Sequence, residues 1–324
     1  MEVVCMGKGN VAVRQWISDK ERFADLFNGV VFQGRQIVSS EDLEPVVGES
    51  DIIITDKREK EKAVQRYRDV VMSWKKGMYL AILACENQNQ VHYAMAVRNM
   101  LYDGLSYAEQ VRQIGKAHKE AEDKLEGAEF LSGFQKKDKI IPVITLVFYY
   151  DLKEWDGSVD LYGMFHWEEW GEGVELLKPY VSNYKINLVD AGNVENLERF
   201  KTDLQQIFGM LKYRGEAQEL KNYMKDNESY FKNIDLETYQ AAREFLHSEK
   251  MLKPYKTKQN RKEKIDMCKA LEDLYNSGVE QGIQVLIESL QEMGIPKEEL
   301  TKKIQDKFSV SMKEAENYIQ KYWK

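Results

Sequence analysis

The spacing of apolar and polar residues changes along the chain, from short apolar runs before residue 90 to a helical period after it. The run MYLAILAC, residues 78–85, is a continuous apolar stretch typical of a buried strand. The run YRDVVMSW, residues 67–74, precedes it, and KKG lies between them as a turn. The pattern therefore predicts a β-hairpin in this part of the chain.

Other short β-branched or strongly apolar runs predict further strands, and a polar segment separates each from the next. They are GVVFQG at 29–34, SDIIITDK at 50–57, IIPVITLVFYY at 140–150 and KINLVDA at 185–191. No strand is predicted after Asn193. The strands therefore occupy the first two thirds of the chain, and the rest is predicted to be helical.

Helical spacing marks the remaining segments. Trp16, Phe23 and Phe27 predict a helix over residues 13–28, which the pair Asn28-Gly29 is expected to end. A second helix is predicted from about residue 90, and the charged residues 116–140 are expected to form a solvated connection.

The end of the chain has its own helix signals. Pro296 fits a first helical turn, and Ser311 followed by Glu314 is a capping-box pattern. A small apolar core is predicted for this module from six residues, Phe308, Val310, Ala315, Tyr318, Ile319 and Tyr322.

Charge and cysteine content narrow the classes of function. The 324 residues carry a formal net charge of −7, so nucleic-acid binding would have to rest on local basic patches. Cys5, Cys85 and Cys268 form no CxxC pair, which argues against a disulfide framework or structural zinc and fits the reducing cytoplasm. Neither a signal-peptide pattern nor a membrane-spanning apolar run is present, so no membrane partner is expected.

One basic patch stands out at residues 250–264, with seven lysines or arginines against one glutamate. Its basic side chains could contact DNA phosphates. The alternative is a solvated linker, and the composition leaves both interpretations open. The residues considered for phosphate contact are Lys256, Lys258, Arg261 and Lys262.

Candidate chemistry is concentrated at the open end of the predicted hairpin. Asp69 lies near the start of its first strand, and Glu86 and Gln88 follow the second strand on a shared face. An antiparallel pair brings these ends together. Two carboxylates in one place suit a divalent cation such as Mg²⁺, although Glu-Asn-Gln would also serve as an ordinary polar turn.

A resemblance to a known family adds to this interpretation. The stretch from RYRDVVMSW through LAILACENQNQVHYAMAVRNMLYDGLSYAEQV resembles the Rpn (recombination-promoting nuclease) family, also described as YhgA-like transposases. This family is a branch of the PD-(D/E)xK nuclease superfamily. Arg98 and Tyr102, four residues apart on one helix face, match an arginine and a tyrosine recurrent in that family. The similarity spans roughly residues 15–324 and is most specific over 66–112.

The resemblance implies a restriction-endonuclease-like α/β fold: a mixed sheet flanked by helices and followed by an all-helical C-terminal region. It also implies Mg²⁺-dependent DNA cleavage, with Mn²⁺ as a substitute ion. Asp69 and Glu86 would be metal ligands, with the backbone carbonyl of Asn87 as a third. Gln88 would occupy a catalytic position that holds lysine in most of the superfamily, and it lacks the lysine's positive charge.

Further site residues follow from the same resemblance. Arg98 and Tyr102 would contact DNA phosphate. Many members of the superfamily also have an acidic residue on an upstream helix, and Glu21 and Asp25 are the residues considered, with Glu21 preferred as a metal ligand. Both residues would equally suit the polar face of an amphipathic helix.

The predicted organisation has four ranges. They are a nuclease-like core over 1–195, a helical extension packed on it over 196–250, a basic linker and helix over 251–277, and a small helical module over 278–324. Oligomeric state stays open, although cutting both DNA strands usually needs two active sites, which a homodimer would provide.

Two functions remain in view at this level. The first is a DNA endonuclease in which a metal-bound water attacks the phosphodiester. The second is a DNA-binding or interaction protein on the same fold with weak or no catalysis. Gln88 in the lysine position and the acidic overall charge favour the second.

Overall fold

The computed structural model describes residues 8–46, 50–55, 61–66, 70–84, 91–248, 252, 264–308 and 310–323. The chain forms two compact units. The first contains residues 1–223 and 240–247, and the second contains residues 224–239 and 248–324. The first unit includes much of the predicted helical extension as well as the predicted core.

A five-stranded mixed sheet organises the first unit, and a separate two-stranded hairpin accompanies it. The strands are β1 Leu43–Pro45, β2 Ser50–Thr55, β3 Glu61–Arg66, β4 Val70–Trp74, β5 Met78–Ala84, β6 Val143–Tyr149 and β7 Asn187–Asp190. The order in the main sheet is β1-β4-β5-β6-β7. The pairs β1–β4 and β4–β5 are antiparallel, whereas β5–β6 and β6–β7 are parallel. The predicted mixed α/β class is confirmed at this level.

Burial explains the composition of the central strand. All but one of the seven residues of β6 are buried, with Leu146, Val147 and Phe148 fully enclosed. Parallel strands covered on both faces read as continuous apolar runs rather than alternating ones. The strands predicted at 50–57, 140–150 and 185–191 are present as β2, β6 and β7.

Helices make up most of the remaining described residues. They are α1 Lys8–Ile17, α2 Lys20–Val30, α3 Met95–Glu120, α4 Ala128–Ser132, α5 Val174–Leu177, α6 Leu204–Tyr213, α7 Ala217–Asp226, α8 Glu228–Phe231, α9 Leu236–Phe245, α10 Met267–Glu292, α11 Lys297–Phe308 and α12 Met312–Tyr322. After β7, the described residues contain no strand, only an isolated bridge between Ile234 and Ile265.

The predicted strand GVVFQG at 29–34 is wrong, because α2 continues to Val30 and turns follow it. The expected helix stop at Asn28-Gly29 is wrong for the same reason. The Asn28 side chain is buried, where it accepts from the Val38 backbone N–H at 2.8 Å and donates to the Val38 carbonyl at 2.8 Å. Asn28 is therefore an anchor for the next segment rather than a helix terminator.

The predicted single helix over 13–28 is two helices. The break falls at Ser18 and Asp19, and the Asp19 carboxylate caps α2 by accepting from the backbone N–H groups of Glu21 and Arg22. Trp16, which precedes the break, is fully buried. Apolar periodicity persisted across the break, which is why the sequence pattern did not reveal it.

The expected connection at 116–140 is partly helical. Helix α3 runs on to Glu120, and α4 forms a short turn within the segment. His118, in the last turn of α3, contacts Asp123 at 2.6 Å and Asp138 at 2.7 Å through its two ring nitrogens. These contacts hold the segment after α3 against the last turn of that helix.

Within the second unit, α10, α11 and α12 pack around an aliphatic core. Its buried members are Ile283, Ile287, Leu300, Ile304, Ala315 and Ile319. Of the six predicted core residues, Ala315 and Ile319 are buried in the cluster, and Phe308, Val310, Tyr318 and Tyr322 are partly buried and pack against it. The Ser311–Glu314 capping box is present. Helix α10 is continuous through residue 278, where the C-terminal module was predicted to begin.

Candidate functional site

The hairpin β4–β5 frames the candidate site. Its register pairs Val70 with Ile82 and Trp74 with Met78, and Gly77 closes the turn with a positive φ of 80°. Val70, Met72 and Trp74 are buried on one face. The hairpin predicted from the sequence is therefore present and fixed by its core-facing side chains.

The proposed ligands flank this hairpin in sequence. Asp69 immediately precedes β4, and Glu86, Asn87 and Gln88 follow β5 after Cys85. All four lie outside the described residues, and so do the basic residues Lys256, Lys258, Arg261 and Lys262. Their assignments stay predictions.

Helix α3 begins shortly after this segment and carries the predicted phosphate ligands. The Arg98 guanidinium carbon lies 5.7 Å from the centroid of the Tyr102 ring, a cation–π contact. Tyr102 is only 8% exposed and belongs to a core cluster with Met95 and Val147. Its ring is therefore placed to hold Arg98, which is half-buried, rather than to face a ligand itself.

His92 lies between the proposed metal ligands and α3 in sequence. Burial, and then the charge of Arg98, lowers the pKa of its imidazole. Its Nδ1 atom is buried and has no hydrogen-bond partner within the described ranges. Burial and the charge of Arg98 thus both favour the neutral form of the imidazole.

The loop after β6 packs against this region. Trp155 makes an edge-to-face contact with Tyr149, and both belong to the same cluster as Val91. Lys153 pairs with Asp156 at 2.8 Å, and this contact lowers the pKa of the aspartate. Sequence reasoning did not single out Lys153 or Asp156, and the DLKEWDG run offered no spacing signal for them.

Parallel pairing brings the carboxyl ends of β5, β6 and β7 to one edge of the sheet. Asp151 follows β6 and Asp190 ends β7, two carboxylates that the sequence analysis missed. Asp190 accepts from the Asn193 side chain at 2.8 Å. Asp151 is 8% exposed and accepts from the Leu152 N–H at 2.6 Å. Asp190 therefore binds its own loop, whereas Asp151 Oδ1 also lies 3.7 Å from His247 Nε2 and its Oδ2 has no hydrogen-bond partner among the described residues.

A half-buried arginine, Arg214, also lies at this edge. Arg214 donates to the backbone carbonyls of Tyr150, Asp151 and Phe245. Burial lowers the pKa of its guanidinium, and the charge of Asp151 works against that shift. Arg214 therefore holds the end of β6 to the end of α9 and is not offered to a ligand.

The two upstream acids have different surroundings. Glu21 is exposed in the first turn of α2, beside a shallow cleft of about 330 Å³. Asp25 is 3% exposed, and its carboxylate accepts from the Lys201 and Thr202 N–H groups and from the Thr202 hydroxyl. Asp25 thus anchors the chain before α6, and Glu21 stays a predicted ligand.

Within the described ranges, no group of three or more His, Cys, Asp or Glu side chains could hold a metal ion. Among the helices that the structure describes, none combines the length and apolarity needed to cross a bilayer. No protein-family model, curated protein or solved structure matches the chain.

Proposed function

We propose that the protein is a Mg²⁺-dependent DNA endonuclease that hydrolyses phosphodiester bonds. The observation that carries the proposal is the order of elements around the candidate site. The hairpin β4–β5 is followed by α3, with Arg98 and Tyr102 in contact, and then by the parallel strand β6. This is the order that the resemblance to the Rpn family implies.

The chemistry of the donor set fits the ion. Asp69 and Glu86 would supply carboxylate oxygens and Asn87 a carbonyl oxygen, which are the ligands that Mg²⁺ prefers. When bound, the ion would lower the pKa of a coordinated water and offset negative charge on the phosphate. Mn²⁺ would serve through the same oxygen ligands.

The protein groups would orient the reactants. Gln88 would hold the attacking water by hydrogen bonds, since its amide is neutral. Arg98, held against the Tyr102 ring, would contact the phosphate and supply the positive charge that Gln88 lacks. DNA is the proposed substrate, and a homodimer would supply one site for each strand.

Cleavage of supercoiled plasmid tests the proposal. The parent should nick DNA with Mg²⁺ or Mn²⁺ and stop with EDTA, and Asp69→Ala and Glu86→Ala should each lose at least about 10–100-fold in rate. Gln88→Lys should keep or raise the rate, since it restores a charge near the phosphate. Equal cleavage by Asp69→Ala, Glu86→Ala and the parent would show that the activity does not come from this site.

A second function is favoured by Gln88 in the lysine position: DNA binding without turnover. A gel shift without Mg²⁺ separates the two functions. Binding that survives Asp69→Ala, with no cleavage by the parent under any metal, would select the binding protein. Arg98→Met, which keeps the side-chain length but not the charge, should weaken binding in either case.

A further inference from the structure

The chain between β6 and β7 contains a compact aromatic segment at residues 162–181. Tyr162, Phe165 and Trp167 form a ring cluster, with 5.5 Å between the centroids of Tyr162 and Trp167. The Tyr162 hydroxyl lies 2.6 Å from the Lys178 carbonyl oxygen and 2.7 Å from that of Val181, so its single proton is shared between them. The Trp167 indole donates to the Tyr162 carbonyl. The inner rings therefore hold the two ends of the segment together.

Large apolar side chains on the same segment point to solvent. Trp170 is 59% exposed, Leu176 76% and Tyr180 88%. Gly171, which follows Trp170, has a positive φ of 52° that a residue with a Cβ would adopt only with strain. Exposed apolar groups gathered in one short segment are typical of an interaction surface.

The segment carries mostly negative charge. Residues 165–181 contain one lysine, Lys178, and four glutamates, Glu168, Glu169, Glu172 and Glu175. Lys178 pairs with Glu175. The other three glutamates form no ion pair with any residue in the described part of the chain. Three unpaired carboxylates thus lie in the same segment as the exposed rings.

We propose that this acidic aromatic surface, comprising Glu168, Glu169, Trp170, Glu172, Leu176 and Tyr180, docks a lysine- or arginine-bearing segment of a partner protein. Ammonium and guanidinium groups are attracted both to carboxylates and to aromatic faces. Their aliphatic stems cover apolar surface while the charged ends reach carboxylates. DNA phosphates and anionic lipids would be repelled, so the surface is separate from the proposed nuclease function.

Fluorescence anisotropy with the full chain tests this proposal. The probe is a labelled twelve-residue peptide of arginine, lysine, leucine and serine, and the comparison peptide has glutamate in place of each basic residue. The basic peptide should bind saturably and more weakly as salt rises. Trp170→Ala, and the triple variant Glu168→Gln, Glu169→Gln, Glu172→Gln, should each weaken binding about tenfold.

The control must separate this surface from the negative charge of the whole chain. The variant Glu126→Gln, Glu292→Gln, Glu298→Gln removes three exposed charges elsewhere and should bind like the parent. Circular dichroism should be unchanged in all variants, because every substituted side chain is exposed.

Several results would overturn the proposal. They are the absence of saturable binding, equal binding of the acidic peptide, and equal weakening in the two triple variants. Sedimentation velocity tests whether a second copy of the chain occupies the surface instead. Self-association of the parent that Trp170→Ala abolishes would show this and would also overturn the proposal. None of these results depends on whether the protein cleaves DNA.

Discussion

The first unit and the C-terminal helices α10–α12 are stabilised in different ways. In the first unit, buried polar side chains bind the backbone of segments far away in sequence. Asp25 holds residues 201 and 202, and Gln110 exchanges two hydrogen bonds with Ile141. Thr145 donates to Asp103, which links β6 to α3.

The C-terminal helices rely mainly on apolar contacts and local hydrogen bonds, and Glu280 adds a surface contact between α10 and α12 by accepting from Lys321 and Tyr322 at 2.6 Å. Their core consists of aliphatic residues such as Ile283 and Ile304. Thr301 is buried, and its hydroxyl donates within its own helix to the Lys297 carbonyl. Ser311 and Glu314 form the capping box that starts α12.

The difference follows from how the elements are connected. Irregular segments around a sheet leave backbone groups that must find partners, so buried side chains supply them. Helices joined by short turns satisfy their backbone internally and need only an apolar face. The first unit should therefore be sensitive to loss of a single polar group, and the helical module to loss of apolar volume.

The largest effect is expected at Asp25. Asp25→Ala leaves two backbone N–H groups and the Thr202 hydroxyl without their acceptor, which should cost about 3–5 kcal/mol of the free energy of unfolding. Hydrogen exchange should rise in α2 and in residues 200–213. The exposed Glu21→Ala on the same helix is the control, and should change stability by less than about 0.5 kcal/mol.

The next largest effect is expected for Ile304→Ala, which should lower the free energy of unfolding by about 2–4 kcal/mol, because it opens a cavity in the aliphatic core of the C-terminal helices. Exchange should rise within α10–α12 and stay unchanged in α2. If both Asp25→Ala and Ile304→Ala raised exchange over the same residues, the two regions would be one cooperative unit and the comparison would fail.

The smallest effect is expected at His118, which joins the end of α3 to Asp123 and Asp138. Both ring nitrogens lie within 2.7 Å of a carboxylate oxygen, an arrangement that favours the protonated imidazole because both nitrogens can then donate. The hydrogen bond to Asp123, then that to Asp138, raises the pKa of His118, and the contact with His118 lowers the pKa of Asp138.

The sign of the pH dependence follows from these directions. The stabilisation from His118 is complete below its unfolded pKa of about 6.5 and is lost as pH rises through the raised folded pKa. The stabilisation from Asp138 is present above the unfolded pKa of its carboxyl group and is lost as pH falls through the lower pKa of the folded state. The unfolding midpoint of the parent should decline on the alkaline side relative to His118→Gln; parallel pH profiles would contradict the prediction.

Much of the fold followed from the apolar pattern alone. The hairpin β4–β5, the central strand β6 and the C-terminal core have strong local signals, and all are present. The conformation of the segment after α2 could not be predicted in this way. Its β-branched residues suggested a strand, whereas the hydrogen bonds of Asn28 and the packing of the Phe200 ring on Gly29 keep its first residues in α2. A Cβ at Gly29 would overlap that ring.

The candidate site could be predicted only in part. Asp69, Glu86 and Gln88 were proposed from the hairpin and the family resemblance and lie outside the described residues, whereas Arg98 and Tyr102 were proposed from the resemblance and are described. That Tyr102 is buried beneath Arg98, and that Asp151, Asp190 and Arg214 meet at the sheet edge, depends on residues far apart in sequence.

The sequence by itself determined the mixed α/β class, the hairpin and the capped helical module, because those features depend on neighbours within a few residues. Only the tertiary structure decided that Asp25 is an anchor and that the segment around Trp170 exposes its rings beside glutamates. Burial and the pairing of distant groups determine the role of a polar residue, and neither property is written in local spacing.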